Sequence, residues 1–195
     1  NEVLDRDGAE ALIKQEAFGY YNLRSTINKV FWENSLNIED LLIVSGAQQG
    51  IDIASKAILN INDNVIVEKP TYLMKKYNIQ LAPFRIIYSD GSEYEDGINI
   101  KKFEEILKKN KIKCFYTMSY FQNPTGISYS REKKIKILEL ANKYDFYIIE
   151  DDYLSELIFD ENIKHEPFRV LDNNDRVIYI KSFSKIFLPG IRLGY

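Results

Sequence analysis

Cysteine is nearly absent from this chain. Cys114 stands alone, so no internal disulfide closes, and a reducing cytoplasm is the expected compartment. Cys114 sits in a β-like run and reads as a buried structural thiol. The single histidine, His165, lies in a polar stretch and is expected at the surface; with no cysteine or compact His/Asp cluster near it, no metal site is expected. No apolar run approaches twenty residues and no signal-peptide pattern is present, so the sequence neither spans a membrane nor looks secreted. An excess of basic charge is missing too. Lys and Arg total 26 against 29 Asp and Glu, interspersed, for a net charge of −3, so this stretch by itself is a poor nucleic-acid binder. Repeats and low-complexity linkers are also lacking. What the chain does have is apolar material, 45% of its 195 residues, which suffices for a sizeable core.

That material is distributed in alternating runs. Strand-like segments rich in Ile, Val, Tyr and Phe fall at 41–44, 64–68, 84–89, 113–119, 146–150, 177–181 and 191–195, several of them continuously apolar, as buried parallel strands tend to be. Helical periodicity falls at 48–59, 100–110 and 131–144, with Ser130 placed to cap the last. The alternation predicts an α/β fold, a three-layer sandwich around a mostly parallel seven-stranded sheet with right-handed crossovers. Residues 1–40, with helical stretches at 8–18 and 23–32, read as a lead-in arm, and 41–195 as the large domain. The chain starts without methionine and stops inside a strand-like run, so it is expected to be an excerpt of a longer protein.

Four segments at strand ends need one another. After Val177-Ile-Tyr-Ile-Lys-Ser comes Ser182-Phe-Ser-Lys185, then Pro189-Gly-Ile-Arg192. A hydroxyl three residues before a lysine and an arginine seven after it suit an amine that forms an imine with an aldehyde, beside groups that grip a phosphate. Val44-Ser-Gly-Ala-Gln-Gln49 joins a strand to a helix; Gly46 permits the tight turn, and the free N–H groups of Ala47 and Gln48 suit an anion. Phe121-Gln-Asn-Pro-Thr-Gly126 forms a turn whose Asn123 amide can donate to a phenolate, and Glu68-Lys-Pro-Thr-Tyr72 offers Tyr72 as a stacking face. In Ile148-Ile-Glu-Asp-Asp-Tyr153, carboxylates follow an apolar strand, where burial demands a partner; a protonated ring nitrogen is the fitting one for Asp151. Taken singly each segment is an ordinary turn or a core residue. Together they describe a receptor for a planar, phosphorylated, phenolic pyridine aldehyde, pyridoxal 5′-phosphate (PLP).

With these motifs the chain resembles the fold type I PLP-dependent aminotransferases, from about Gly19 to Tyr195. The resemblance implies Lys185 as the imine-forming lysine and Asp151 as the pyridinium partner, both catalytic. It implies Asn123 and Tyr153 as ligands of the ring hydroxyl, Tyr72 as the stacking aromatic, and Gly46, Ala47, Gln48, Ser182 and Arg192 as the phosphate cradle. In the family such Asn-Pro bonds as Asn123–Pro124 are often cis. The wording of Ser-Gly-Ala-Gln-Gln, Phe-Gln-Asn-Pro-Thr-Gly and Glu-Asp-Asp-Tyr-Leu-Ser-Glu-Leu is most similar to the aminotransferase-like domain of MocR-type regulators, a branch of the GntR transcription factors. Tyr153 follows Asp151 by two residues, where many free-standing aminotransferases place it three after, and Gly19-Tyr-Tyr-Asn-Leu-Arg24 resembles the segment just inside that domain.

This resemblance implies an effector domain in which an amino acid or other amino compound exchanges onto PLP. DNA would then be bound only through an upstream domain, the parent would be a homodimer, and a small domain would follow Tyr195. The alternative is a free-standing class I/II aminotransferase of the 2-aminoadipate or aromatic type; a third reading is a remnant that serves only dimerisation. Two departures matter: Lys14 stands about where relatives carry a tyrosine for the neighbouring subunit's phosphate, and the arginine that receives a substrate carboxylate lies beyond Tyr195. On its own this stretch is not expected to transaminate.

Overall fold

The computed structural model describes residues 2–13, 16–71, 85–90, 96–159 and 164–195, with backbone alone at 10, 11 and 85–90. Five strands, β1 (Asn64–Lys69), β2 (Arg85–Asp90), β3 (Ile112–Thr117), β4 (Tyr147–Asp152) and β5 (Val177–Lys181), form a parallel sheet in the order β2-β1-β3-β4-β5. The layers follow from side-chain alternation along the strands. Ile66, Phe115, Ile148 and Val177 point to one face and pack with Phe103 of α4 (Ile100–Lys109) and with Ile137 and Ala141 of α5 (Arg131–Tyr144). Val65, Val67, Cys114, Tyr116, Ile149 and Ile180 point to the other and meet Ile51 and Ala54 of α3 (Ala47–Ile58). Both sheet faces are thus covered, which is why these strands read as continuous apolar runs. The result is the expected three-layer α/β sandwich. Among the described residues no helix is long and apolar enough to cross a membrane.

Local signals place the helices. The Ser130 side chain accepts from Lys133 N at 3.3 Å and starts α5, as its position suggested, and Asn99 does the same for α4 through Lys102 N at 3.0 Å. Preceding the sheet are α1 (Glu2–Asp7) and α2 (Tyr21–Trp32); a short α6 (Phe168–Leu171) leads into β5. Arg24 of α2 is fully buried and donates to the carbonyls of Gly19 (3.3 Å) and Ile38 (3.0 Å), tying the segments before and after α2 together.

Two expectations need correction. The runs at 41–44 and 191–195 are not strands, so the expected seven-stranded sheet has five strands among the described residues. The two runs touch through one antiparallel bridge, Val44 to Gly194, and Gly194 also bridges Ser182. The reason lies in the backbone: Pro189–Ile191 forms a 3-10 turn and Arg192 takes a left-handed φ of 55°, so the chain becomes extended only at Leu193. The helix expected at 8–18 is broken, because Gly8 at φ 59° ends α1 and a 3-10 turn, Gly8–Leu12, follows. His165 is exposed, as expected, although its ring meets a buried carboxylate described below.

At the carboxyl end of β1, Glu68 is buried and accepts from Tyr129 Oη (2.7 Å), Thr117 Oγ1 (3.0 Å) and Met118 N (3.4 Å). Burial pushes its carboxyl from 4.5 up to about 7, outweighing those hydrogen bonds. A raised carboxyl favours the fold when protonated. Its contribution is complete below pH 4.5 and lost as pH rises through 7, a change of about 3 kcal/mol. Glu68→Gln is therefore expected to be progressively more stable than the parent as pH rises from 5 to 7.5. Urea midpoints at the two pH values check this, and parallel shifts of both proteins would refute it.

Candidate active site

A cavity of about 360 Å³ opens at the carboxyl ends of β3, β4 and β5, where the amino end of α3 meets them. This is where ligands sit in open parallel sheets. It brings together residues from 47 to 192: Ala47 and Gln48 from α3, Asn123 from the loop after β3, Asp151 from the end of β4, Tyr153 just after it, and Ser182, Lys185 and Arg192 from the chain after β5. Of the residues singled out in the sequence, Gly46 borders the cavity through Arg192, while Tyr72, like Lys14, lies outside the described residues. Ile51 and Met118 add apolar surface to the lining.

Asp151 sets the electrostatics of one end. Its place in β4 puts its side chain on the α3 face, between the apolar Ile149 and the cavity. Oδ2 accepts from Tyr116 Oη at 2.7 Å, whereas Oδ1 is buried and has no partner. Burial pushes the carboxyl up to about 6, partly opposed by the Tyr116 hydrogen bond. A buried acceptor left unsatisfied at a cavity wall fits a donor from a ligand.

A second stretch of the wall carries positive charge. Gly46 caps α3 with no side-chain hydrogen bond, leaving the first N–H groups of a 12-residue helix facing the cavity. Arg192 lies across it: a Cβ on Gly46 would stand 2.6 Å from Arg192 Nη2, and Gly46 itself sits at φ 79°. Arg192 Nη1 also donates to Ser184 Oγ at 3.4 Å, and Ser182 lines the same wall. Lys185 is exposed and lines the same cavity.

Turn chemistry fixes the remaining wall. The Asn123–Pro124 bond is cis, as is Lys69–Pro70. Gln122 joins the two turns, donating Nε2 to Pro70 O at 2.7 Å while Oε1 accepts from Thr125 N at 3.1 Å. Tyr153 Oη donates to Phe121 O at 3.0 Å.

Sequence reading missed several residues here. Tyr116, the partner of Asp151, lies two places after Cys114 on the same strand face, a spacing that could have revealed it. Gln122 carried no signal beyond its turn. Asp152 points away from the cavity, where Oδ2 meets His165 Nε2 (2.7 Å) and Tyr179 Oη (2.7 Å). Burial works against its charge, yet the His165 bond and the charge of Lys181 outweigh it and hold this carboxyl well below the usual range. His165 is exposed yet tied to the sheet, because a buried carboxylate recruits whatever donor the next loop supplies.

The sequence profile of class I and II aminotransferases matches residues 4–195, and the chain belongs to this family. It is 34% identical to aromatic-amino-acid aminotransferase 1 of Thermococcus litoralis across 100% of its own length and 48% of that protein's. It is 38% identical to the HTH-type transcriptional regulator YcxD of Bacillus subtilis over 79% of its length and 34% of the relative's. Among solved structures it resembles the kynurenine aminotransferase of Pyrococcus horikoshii in complex with PMP (TM-score 0.88, 33% identity, 99% of this chain, 49% of that one). The chain thus spans a third to a half of the length of these proteins. The cofactor the family implies is pyridoxal phosphate. The residues present fit it: an orphaned buried carboxylate oxygen for a ring N–H, and an arginine with a helix amino end for a phosphate.

Proposed function

We propose that this chain is a PLP-binding aminotransferase-like domain, the effector-sensing part of a MocR-type regulator. Convergence of eight of the ten anticipated residues on one cavity is the observation that carries this reading. When bound, PLP supplies an electron-withdrawing ring that acidifies the Cα–H of an amino compound. The chain's own groups have separable tasks. Oδ1 of Asp151 accepts from the ring nitrogen and keeps it protonated. Asn123 and Tyr153 hold the ring hydroxyl, and Ser182, Arg192 and the first N–H groups of α3 hold the phosphate. Lys185 would hold the cofactor through its amine and, when free, would move the proton as base and acid. The stacking face is the role that the family resemblance gives to Tyr72, which lies outside the described residues.

The spacing of Asp151 and Tyr153, together with the regulators among its relatives, supports the regulatory reading. The second reading, a free-standing aminotransferase of aromatic or 2-aminoadipate type, is supported by the match to the Thermococcus litoralis enzyme over the whole chain and by the 2-aminoadipate transaminase of Thermus thermophilus at 28% identity. In either case a homodimer in the cytoplasm is proposed, and the exposed Phe187, Leu188 and Ile191 beside Lys185 support an interface there. DNA would be engaged only by an upstream domain. A basic winged helix encoded ahead of Asn1 decides for the regulator, and a short arm for the enzyme.

Borohydride reduction of the PLP-loaded protein followed by peptide mapping tests the core assignment. The label is expected on the peptide holding Lys185. Label on another lysine, or none, overturns it.

A further inference from the structure

We infer that Lys181 is a positioning residue for the cofactor site, a buried counter-charge that offsets Asp152 beneath the sheet so that Asp151 answers to the cofactor alone. This rests on the PLP reading above.

Asp151 and Asp152 are consecutive on β4, so their side chains leave opposite faces of the sheet. Asp151 reaches the cavity; Asp152 lies on the reverse side with its side chain 2% exposed. There Asp152 Oδ1 accepts from Ser155 N at 3.1 Å and lies 3.3 Å from Lys181 Nζ, and its other oxygen accepts from Tyr179 and His165. Lys181 is itself fully buried and also reaches Glu156 Oε2 at 2.5 Å and Ser155 Oγ. An ammonium placed there is costly unless it answers a charge, and removing one partner of such a pair costs far more than removing both.

The placement matters for the cavity. Asp152 lies between Asp151 and Tyr153; Lys181 precedes Ser182 and lies four residues before Lys185. Ser182 N also points to Asp152 O at 3.4 Å. The ion pair therefore fastens together the two strand ends that carry most of the cavity wall. It acts through charge as well: Asp152 pushes Asp151 toward its protonated form, and Lys181 pulls it back. A protonated Asp151 would no longer hold a protonated ring nitrogen.

The test compares Lys181→Met with the double variant Asp152→Asn/Lys181→Met, reading PLP affinity and the absorbance band of bound PLP. Lys181→Met is expected to weaken PLP binding by at least about tenfold and to shift the band, because an uncompensated buried carboxylate remains. The double variant, in which both charges are gone, is expected to recover to within about threefold of the parent and to restore the band. Parental affinity in Lys181→Met, or a double variant no better than the single one, overturns the inference. Should Lys181→Met fail to fold, a double variant that folds and binds PLP supports it, and one that does neither overturns it. A parent protein that takes up no PLP sinks the functional reading itself; a parent that binds, with both variants indistinguishable from it, sinks only this inference.

Discussion

Asp151→Ala is expected to slow the reaction of bound PLP with an amino acid by roughly a thousandfold, the scale set by losing a buried electrostatic partner of the reacting system. The reason is local. Oδ1 of Asp151 is the buried acceptor left without a protein partner at the cavity wall, and its other oxygen is already held by Tyr116 at 2.7 Å. Stability should hardly follow. Burial has pushed this carboxyl up to about 6, so at pH 8 the fold carries an ionised group it would rather have neutral. Deleting it relieves that penalty while leaving a small void and an unpaired Tyr116 hydroxyl, and the net change is expected to stay within about 2 kcal/mol. Stopped-flow absorbance with phenylalanine or 2-aminoadipate reads the rate, and thermal melting of the cofactor-free protein reads the fold. A variant that reacts within tenfold of the parent, or one that simply unfolds, removes Asp151 from its role.

Gly46→Ala should cost about a hundredfold in PLP affinity, since two effects converge on one methyl group. The backbone at Gly46, φ 79° and ψ 167°, belongs to a region essentially reserved for glycine, worth about 1–3 kcal/mol of strain. The added Cβ would also stand 2.6 Å from Arg192 Nη2, so the guanidinium must leave the place where it faces the amino end of α3. Titration with PLP, and with inorganic phosphate as competitor, separates the two: loss of Arg192 weakens both ligands, whereas strain alone lowers the melting temperature and spares affinity. Unchanged binding of both would show that the anion is held elsewhere.

Much of this molecule is legible because parallel strands announce themselves. Val65-Ile-Val67, Cys114-Phe-Tyr116 and Ile148-Ile149 are apolar on consecutive positions, as only a strand covered on both faces can be, and Ser130 and Asn99 mark helix starts through a bond to a backbone N–H three residues on. The cofactor motifs are equally local, since each is a strand end with its own turn. What stayed hidden is what depends on two chain segments meeting. The runs at 41–44 and 191–195 have strand composition but pair through one bridge, because the turn at Pro189 and the left-handed Arg192 leave too little extended chain. His165 is exposed as its polar stretch suggests, but nothing in that stretch reveals Asp152 across the fold.

The sequence alone determined the class of fold, the five strands of its sheet and the three helices packed on it, and which residues could serve a phosphorylated pyridine, because periodicity and turn chemistry act over a few residues. Only the tertiary structure decided that Asp151 faces the cavity while Asp152 faces away to Lys181, and that Tyr116 and Gln122 hold the site from behind. Side-chain direction on a buried strand is set by which helix layer each face meets, and the partners of a buried charge are chosen by that packing.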